Sequence, residues 1–151
     1  MPEFPVKEIG HWICEQYKSL NPDIVISTGN RIFNLLFLLQ KESKECKEMF
    51  QKIVAINAIH YMDSNSKSIM LIDEETEYGR KFLLDIFPHF RDFYPKSVNC
   101  FTIFLRDDAK AQNRRKEYIQ KWEEMNSEMG KIADCLRHIR SYKAYNSEKF
   151  H

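Results

Sequence analysis

The sequence has few residues that break secondary structure and almost no net charge. Its 151 residues include only four glycines and five prolines, a composition that argues against long disordered linkers. Lysine and arginine together number 23 and aspartate and glutamate 22, so the formal net charge is +1. This balance gives no global electrostatic case for nucleic-acid binding. A chain of this length forms one ordinary domain that buries about two thirds of its unfolded surface.

Long hydrophobic runs and closely spaced cysteines are also missing. The longest apolar stretch, around Leu35 to Leu39, is much shorter than the roughly 20 residues that span a bilayer, and no secretory segment is evident near Met1. The four cysteines are too far apart for a zinc knuckle or a redox motif: Cys14, Cys46, Cys100 and Cys135. We therefore expect a soluble cytoplasmic protein with four reduced thiols and no membrane contact.

What the sequence does contain is two short apolar runs that end in polar, glycine-containing loops. Asp23 to Ile26 leads into Ser27-Thr28-Gly29-Asn30, and Ile69 to Ile72 leads into Asp73-Glu74-Glu75 and then Gly79. Such runs are typical of strands buried on both faces of a parallel sheet. Ligands bind open α/β sheets at the carboxyl ends of the strands, so the two loops predict one binding crevice. Acidic residues that only cap a helix are the plainer interpretation.

The whole pattern predicts an α/β fold with a mostly parallel three-layer sheet. Only Met62 to Lys67 separates the second predicted strand from the acidic strand, whereas a parallel crossover normally needs a dozen or more residues. These two strands therefore either pair as an antiparallel hairpin or are joined by a short loop that crosses the sheet. The predicted elements are a helix from Pro5 to Leu20, a strand at 23–27, a helix from Arg31 to Lys52, strands at 53–59 and 68–72, a helix to Phe90 and a last strand at 98–105.

The last third of the chain predicts one long helix, from an N-cap at Asp108 to about Tyr142. Its apolar residues alternate in spacing between three and four, as in a coiled coil: Trp122, Met125, Met129, Ile132, Leu136 and Ile139. This seam either folds back onto the sheet or pairs with a second copy or a protein partner. We accordingly divide the chain into an α/β core at 1–106 and a helical extension at 107–151.

The two loops resemble those of the type I phosphoribosyltransferases. Ile69 to Lys81 is similar in spacing to the signature of that family, which has four apolar residues, an acidic pair, a short variable segment, a glycine and a helix. Asp23 to Asn30 resembles the earlier strand of the family and its pyrophosphate loop. The resemblance covers roughly residues 20 to 106.

The resemblance implies a role for each matching residue. Asp73 and Glu74 would accept hydrogen bonds from the ribose 2′- and 3′-hydroxyls of phosphoribosyl pyrophosphate. The backbone of the following loop would hold the 5′-phosphate, through Tyr78, Gly79, Arg80 and Lys81. The pyrophosphate would contact Thr28, Gly29 and Asn30. In an active enzyme Mg²⁺ would bridge the diol and pyrophosphate oxygens.

Two functions follow as hypotheses. The first is a divergent phosphoribosyltransferase-like domain that binds a ribose-phosphate or nucleotide-type ligand and displaces pyrophosphate. The second is an inactive interaction module that assembles through Trp122 to Ile139, because Glu77 lies in the phosphate loop and only Met62 to Lys67 is available for a catalytic loop. Leu71 to Glu75 also resembles the first strand of a response-regulator receiver, but too little chain follows for the later receiver strands.

Overall fold

A computed structural model describes residues 5–55, 58–59, 62–76, 79–91 and 94–146. The helices are α1 (Val6–Leu20), α2 (Asn30–Leu39), α3 (Lys44–Gln51), α4 (Ala109–Met125) and α5 (Ser127–Ala133). The strands are β1 (Ile24–Ser27), β2 (Ile53–Ala55), β3 (Ser68–Thr76), β4 (Ser97–Arg106) and β5 (Arg140–Tyr145). A π-helical turn spans Phe82–Ile86, and 3-10 helices span Phe87–Phe90 and Asp134–His138.

The five strands form one parallel sheet in the order β2-β1-β3-β4-β5. Of the two alternatives for the link between β2 and β3, the antiparallel hairpin is therefore wrong, because β1 lies between them, and the connection crosses β1. The second strand was predicted to reach Ile59 but ends at Ala55. Residues 56–67 are thus left for the connection, which is long enough for a parallel crossover. The order 2-1-3-4-5 is one of the common doubly wound arrangements.

Helices cover both faces of the sheet, as the three-layer prediction required. On one face, α1, α2 and α3 pack on the apolar side chains of β1, β3 and β4, including Val25, Met70 and Phe101. On the other face, the segment Phe82–Phe90, α4, α5 and the 3-10 helix after α5 pack on Ile26, Leu71 and neighbouring residues. Successive strand residues face opposite layers, which is why the strand runs are apolar throughout.

The helix predicted from Arg31 to Lys52 is two helices. The chain leaves helical conformation after Leu39, and Ser43 begins α3 by accepting a hydrogen bond from the Cys46 backbone N–H at 3.1 Å. A serine N-cap satisfies one of the N–H groups that a new helix leaves without an internal partner. By contrast, α1 begins after Pro5 and ends at Asn21, as predicted.

The long C-terminal helix is also a wrong prediction. The helix ends at Met125, and the Asn126 side chain starts α5 by accepting from the Glu128 N–H at 2.8 Å. After the 3-10 helix, residues 140–145 form β5 and extend the sheet alongside β4. Through β5, the chain beyond residue 106 contributes a strand to the same sheet as the preceding residues.

The heptad seam packs inside the chain. Trp122, Met129, Ile132 and Leu136 are buried against the layer formed by Phe82–Phe90 and the sheet, whereas Met125 is 62% exposed. The interpretation in which the stripe folds back on the sheet therefore holds for most of the seam. A second copy or partner that used this stripe would have to displace the protein's own core.

The prediction of four reduced thiols is wrong for two of them. Cys14 in α1 and Cys46 in α3 form a disulfide, and their Cα atoms lie 5.8 Å apart. Sequence spacing could not reveal this pair, because α1 and α3 become neighbours only when both pack on the same face of the sheet. None of the helices in the described part of the chain combines the length and the apolar character that crossing a bilayer requires.

Candidate functional site

The two predicted loops meet at one edge of the sheet, at the carboxyl ends of β1 and β3. The strands are neighbours with Ser27 opposite Ile72, so β3 continues four residues past the end of β1, to Thr76. On its other side this projecting segment stays paired with β4. In a 2-1-3-4-5 sheet the connections leave β1 and β3 towards opposite faces, and ligands bind at that switch point. We refer to this place as the β1/β3 crevice.

Asp73 is a buried carboxylate at the base of the crevice. Asp73 is only 2% exposed, and its Oδ1 accepts a hydrogen bond from the Glu74 N–H at 2.8 Å. Lys81 Nζ lies 3.5 Å from the same oxygen. Burial raises the pKa of Asp73, and a hydrogen bond from Thr28 and the Lys81 charge only partly oppose this effect.

Glu74 lies further out and pairs with Arg31. Arg31 Nη1 is 2.6 Å from Glu74 Oε1, and this ion pair bridges β3 and the first turn of α2. The Arg31 side chain is 54% exposed and that of Glu74 24%. Solvent-accessible pairs of this kind contribute only about 0–1 kcal/mol, so an incoming anion can compete for the arginine at little cost. Sequence reasoning assigned no role to Arg31.

Gly79 has a packing role that its sequence context did not reveal. Its φ is +80°, and its N–H donates to Thr76 Oγ1 at 2.7 Å. A Cβ at this position would lie 2.5 Å from Leu136 Cδ2, so the close approach is to the protein's own core. The N–H predicted to bind phosphate is therefore already hydrogen-bonded.

The rest of the predicted phosphate loop is only partly described. Tyr78, like Glu77, lies outside the described residues. Arg80 and Lys81 follow Gly79 on the exposed side of the chain, immediately before the π-helical turn. Short π-helical segments occur frequently at functional sites. Lys81 thus stands on the β3 side of the crevice, beside Asp73.

The opposite wall, Thr28-Gly29-Asn30, is more open. Thr28 is buried and its hydroxyl donates to the Ile72 carbonyl at 3.3 Å, which fixes the loop to β3. A Cβ on Gly29 would meet no atom within 4 Å. The N-terminus of α2 that follows has no side-chain cap and no acidic residue in its first turn. Its partial positive charge is therefore available to an anion in the crevice.

A second charged cluster, missed by sequence reasoning, lies at the carboxyl end of β4. Arg115 Nη1 is 2.7 Å from Asp107, and Arg106 Nε is 2.7 Å from Asp108. Both arginines are buried. The Ala111 N–H bond and the Arg106 bond lower the pKa of Asp108, which caps α4 as predicted. These contacts join the end of β4 to α4.

Grooves also lie away from the crevice. One, of about 320 Å³, runs between α1, α2 and α3 beside the Cys14–Cys46 disulfide. Another, of about 380 Å³, lies at the amino end of β4 and is lined in part by Cys135 and His138. Neither is lined by Asp73 or Glu74. The crevice is therefore identified by its topology and its charges and not by its volume.

Among the described residues, no group of three or more His, Cys, Asp and Glu side chains is placed to hold a metal ion. Mg²⁺ needs no such group when a ligand supplies phosphate oxygens, since it commonly binds one or two carboxylates and keeps several waters. Glu74 is the more accessible carboxylate for that purpose.

Neither the models of known protein families nor the curated proteins contain a match to this chain. The function is therefore inferred from the geometry and the charges of the β1/β3 crevice.

Proposed function

We propose that this protein is a divergent phosphoribosyltransferase-like domain that binds a ribose-phosphate or nucleotide-type ligand in the β1/β3 crevice. The observation that carries the proposal is that two ion pairs lie at the switch point, Arg31 with Glu74 and Lys81 with Asp73. They place hydrogen-bond acceptors and cations side by side, which is the combination that a phosphorylated sugar requires.

The phosphate is the part of the ligand that the cations recognise. Arg31 and Lys81 are each 54% exposed, so both are accessible to an anion from the solvent. The uncapped N-terminus of α2 adds backbone N–H groups on the same side. When Arg31 turns to the phosphate, Glu74 becomes free to accept a ribose hydroxyl.

Asp73 has a different role from the one implied by the resemblance. At 2% exposure it is too deeply buried to accept a ribose hydroxyl in this conformation, and it instead positions Lys81 and the Thr28 loop. Glu74 would hold a Mg²⁺ ion, which would offset the negative charge of a pyrophosphate group. Displacement of pyrophosphate is the further step of the proposal. It requires an opening that exposes Asp73 or a reaction that uses Glu74 alone.

One observation favours the second candidate, an inactive interaction module. Gly79 packs on Leu136 and its N–H is bonded to Thr76, so the segment that holds phosphate in the family serves the core in this chain. A partner of such a module would use a surface other than the seam from Trp122 to Ile139, which is largely buried.

Isothermal titration calorimetry tests the proposal. The wild type is titrated with phosphoribosyl pyrophosphate and Mg²⁺, with ribose 5-phosphate and with ribose. We expect binding that depends on the phosphate, and a loss of tenfold or more in affinity for both Arg31→Gln and Lys81→Gln, equivalent to at least about 1.4 kcal/mol. Release of pyrophosphate in the same samples would add catalysis to binding.

Lys131→Gln is the matched control. Lys131 is also an exposed cation in an ion pair, with Glu128 at 3.1 Å, but it lines the groove at the amino end of β4. The affinity of the Lys131→Gln variant for each ligand should equal that of the wild type. Absence of binding to every ligand, or an equal loss in the control, would leave the inactive module as the better interpretation.

A further inference from the structure

The two cysteines outside the disulfide lie against each other. Cys100 in β4 and Cys135 in the 3-10 helix Asp134–His138 are 35 residues apart in sequence, yet their Sγ atoms are 3.0 Å apart. A disulfide bond is about 2.05 Å long, so a displacement of about 1 Å would join them.

The two thiols differ in accessibility. Cys100 is 2% exposed, in the layer between the sheet and α4. Cys135 is half-buried and lines the groove at the amino end of β4, together with Lys131 and His138. A small reagent can therefore reach Cys135 directly, whereas it can reach Cys100 only through Cys135.

We propose that Cys100 and Cys135 form a dithiol site that a small-molecule disulfide, such as oxidised glutathione, converts to a second intramolecular disulfide. The Cys135 thiolate attacks one sulfur of the reagent, whose S–S bond breaks and releases a thiolate. The thiolate released in this step takes the Cys100 proton, and the Cys100 thiolate then attacks Cys135 Sγ and releases the second thiolate. The two protein sulfurs lose two electrons and the reagent gains them.

The environment of Cys100 supports this order of events. Burial, and then the neighbouring Cys135, raise the pKa of the Cys100 thiol well above its usual range. Cys100 thus keeps its proton until the second step, when a thiolate is present to take it. The reactive species in thiol–disulfide exchange is the thiolate, so the first attack belongs to the accessible sulfur.

The existing disulfide makes the oxidised state of the second pair relevant. Conditions under which Cys14–Cys46 persists also favour oxidation of an accessible dithiol whose sulfurs are already in contact. A second bond would fix Cys135 to β4 and thereby fix Leu136, the next residue, against Gly79 beside the crevice. The oxidation state of Cys100 and Cys135 would then set how tightly Leu136 is held against Gly79.

The test uses the full chain equilibrated in reduced and oxidised glutathione, then alkylated under denaturing conditions and mapped by peptide mass spectrometry. In the oxidised buffer we expect the Cys100 and Cys135 peptides to be joined, with no glutathione on either residue. In Cys100→Ser, Cys135 should carry one glutathione, because the second step has no attacking sulfur. In Cys135→Ser, Cys100 should remain an unmodified, alkylatable thiol.

Three results would overturn the proposal. The first is alkylation of both Cys100 and Cys135 in a buffer that keeps Cys14 joined to Cys46. The second is glutathione retained on Cys135 of the wild type. The third is modification of Cys100 by glutathione in Cys135→Ser. Because a serine hydroxyl at the buried position 100 can impair folding, Cys100→Ala is used when circular dichroism shows that Cys100→Ser is unfolded, and it should give the same single glutathione on Cys135.

Discussion

Alanine substitutions at Gly79 and Gly29 should differ in their effect on stability, because only Gly79 has a positive φ and a close contact with the core. At Gly79 the φ of +80° costs an alanine about 1–2 kcal/mol. The new Cβ would also lie 2.5 Å from Leu136 Cδ2, an overpacking that typically costs about 1–3 kcal/mol. Gly79→Ala should therefore destabilise the fold by about 2–5 kcal/mol.

Gly29→Ala should leave stability almost unchanged. The backbone at Gly29 is extended, with φ −147°, and the added Cβ would meet no atom within 4 Å. If a phosphorylated ligand approaches the backbone there, however, the methyl group will stand in its way. We expect Gly29→Ala to weaken ligand binding in the calorimetric titration while the melting temperature stays within the error of the wild type.

Thermal and urea unfolding followed by circular dichroism measure the pair. For a domain of this size about 1 kcal/mol corresponds to a shift of 2–4 °C in Tm, so Gly79→Ala should melt several degrees or more below the wild type. Equal stability of the two variants would refute the packing assigned to Gly79. A Gly29 variant that loses as much stability would show that its loop is packed against something.

Three further predictions concern stability. Cys14→Ala with Cys46→Ala should lower the free energy of unfolding by about 3.7 kcal/mol, which is the loop-closure contribution of a crosslink across 32 residues, as measured by urea unfolding against the wild type. Asp73→Asn should raise stability at neutral pH. Because the pKa of Asp73 is raised in the folded protein, the contribution of Asp73 to the free energy of unfolding falls as the pH rises from the usual pKa of an aspartate through the raised pKa. This fall should be absent when the stability of the variant is measured against pH. Arg115→Met should cost about 1–3 kcal/mol in urea unfolding, because Asp107 and the Arg106 carbonyl lose their partner; an unchanged midpoint would show that the cluster adds nothing.

The elements predicted correctly are those specified by local sequence. Pro5 and Asn21 bound the helix α1 on either side. The runs that form β1, β3 and β4 are apolar throughout because both faces of the sheet are covered. The crevice followed from these runs, since parallel strands place their carboxyl ends at one edge. Asp108 was found because an N-cap acts on the residues immediately after it.

The errors concern contacts between distant parts of the chain. Residues 140–145 are charged and tyrosine-rich, and only pairing with β4 makes them a strand. The helix break at Asn126 follows from a local cap, but the regular seam on both sides of it favoured one helix. Arg31 and Glu74 are 43 positions apart along the numbering, and Gly79 meets Leu136 only in the folded chain. Neither contact has a signal in local spacing.

The two edges of the sheet have a consequence for self-association. A parallel sheet that does not close leaves unpaired backbone groups along both outer strands, where another chain can add by edge-to-edge pairing. β2 is only three residues long, which gives an added strand little to pair with. β5 is longer, but it carries Arg140 and Lys143 as exposed side chains, and Tyr142 is anchored to Glu8 of α1 by a 2.7 Å hydrogen bond. Short length at one edge and positive charge at the other thus protect the protein against aggregation through its sheet.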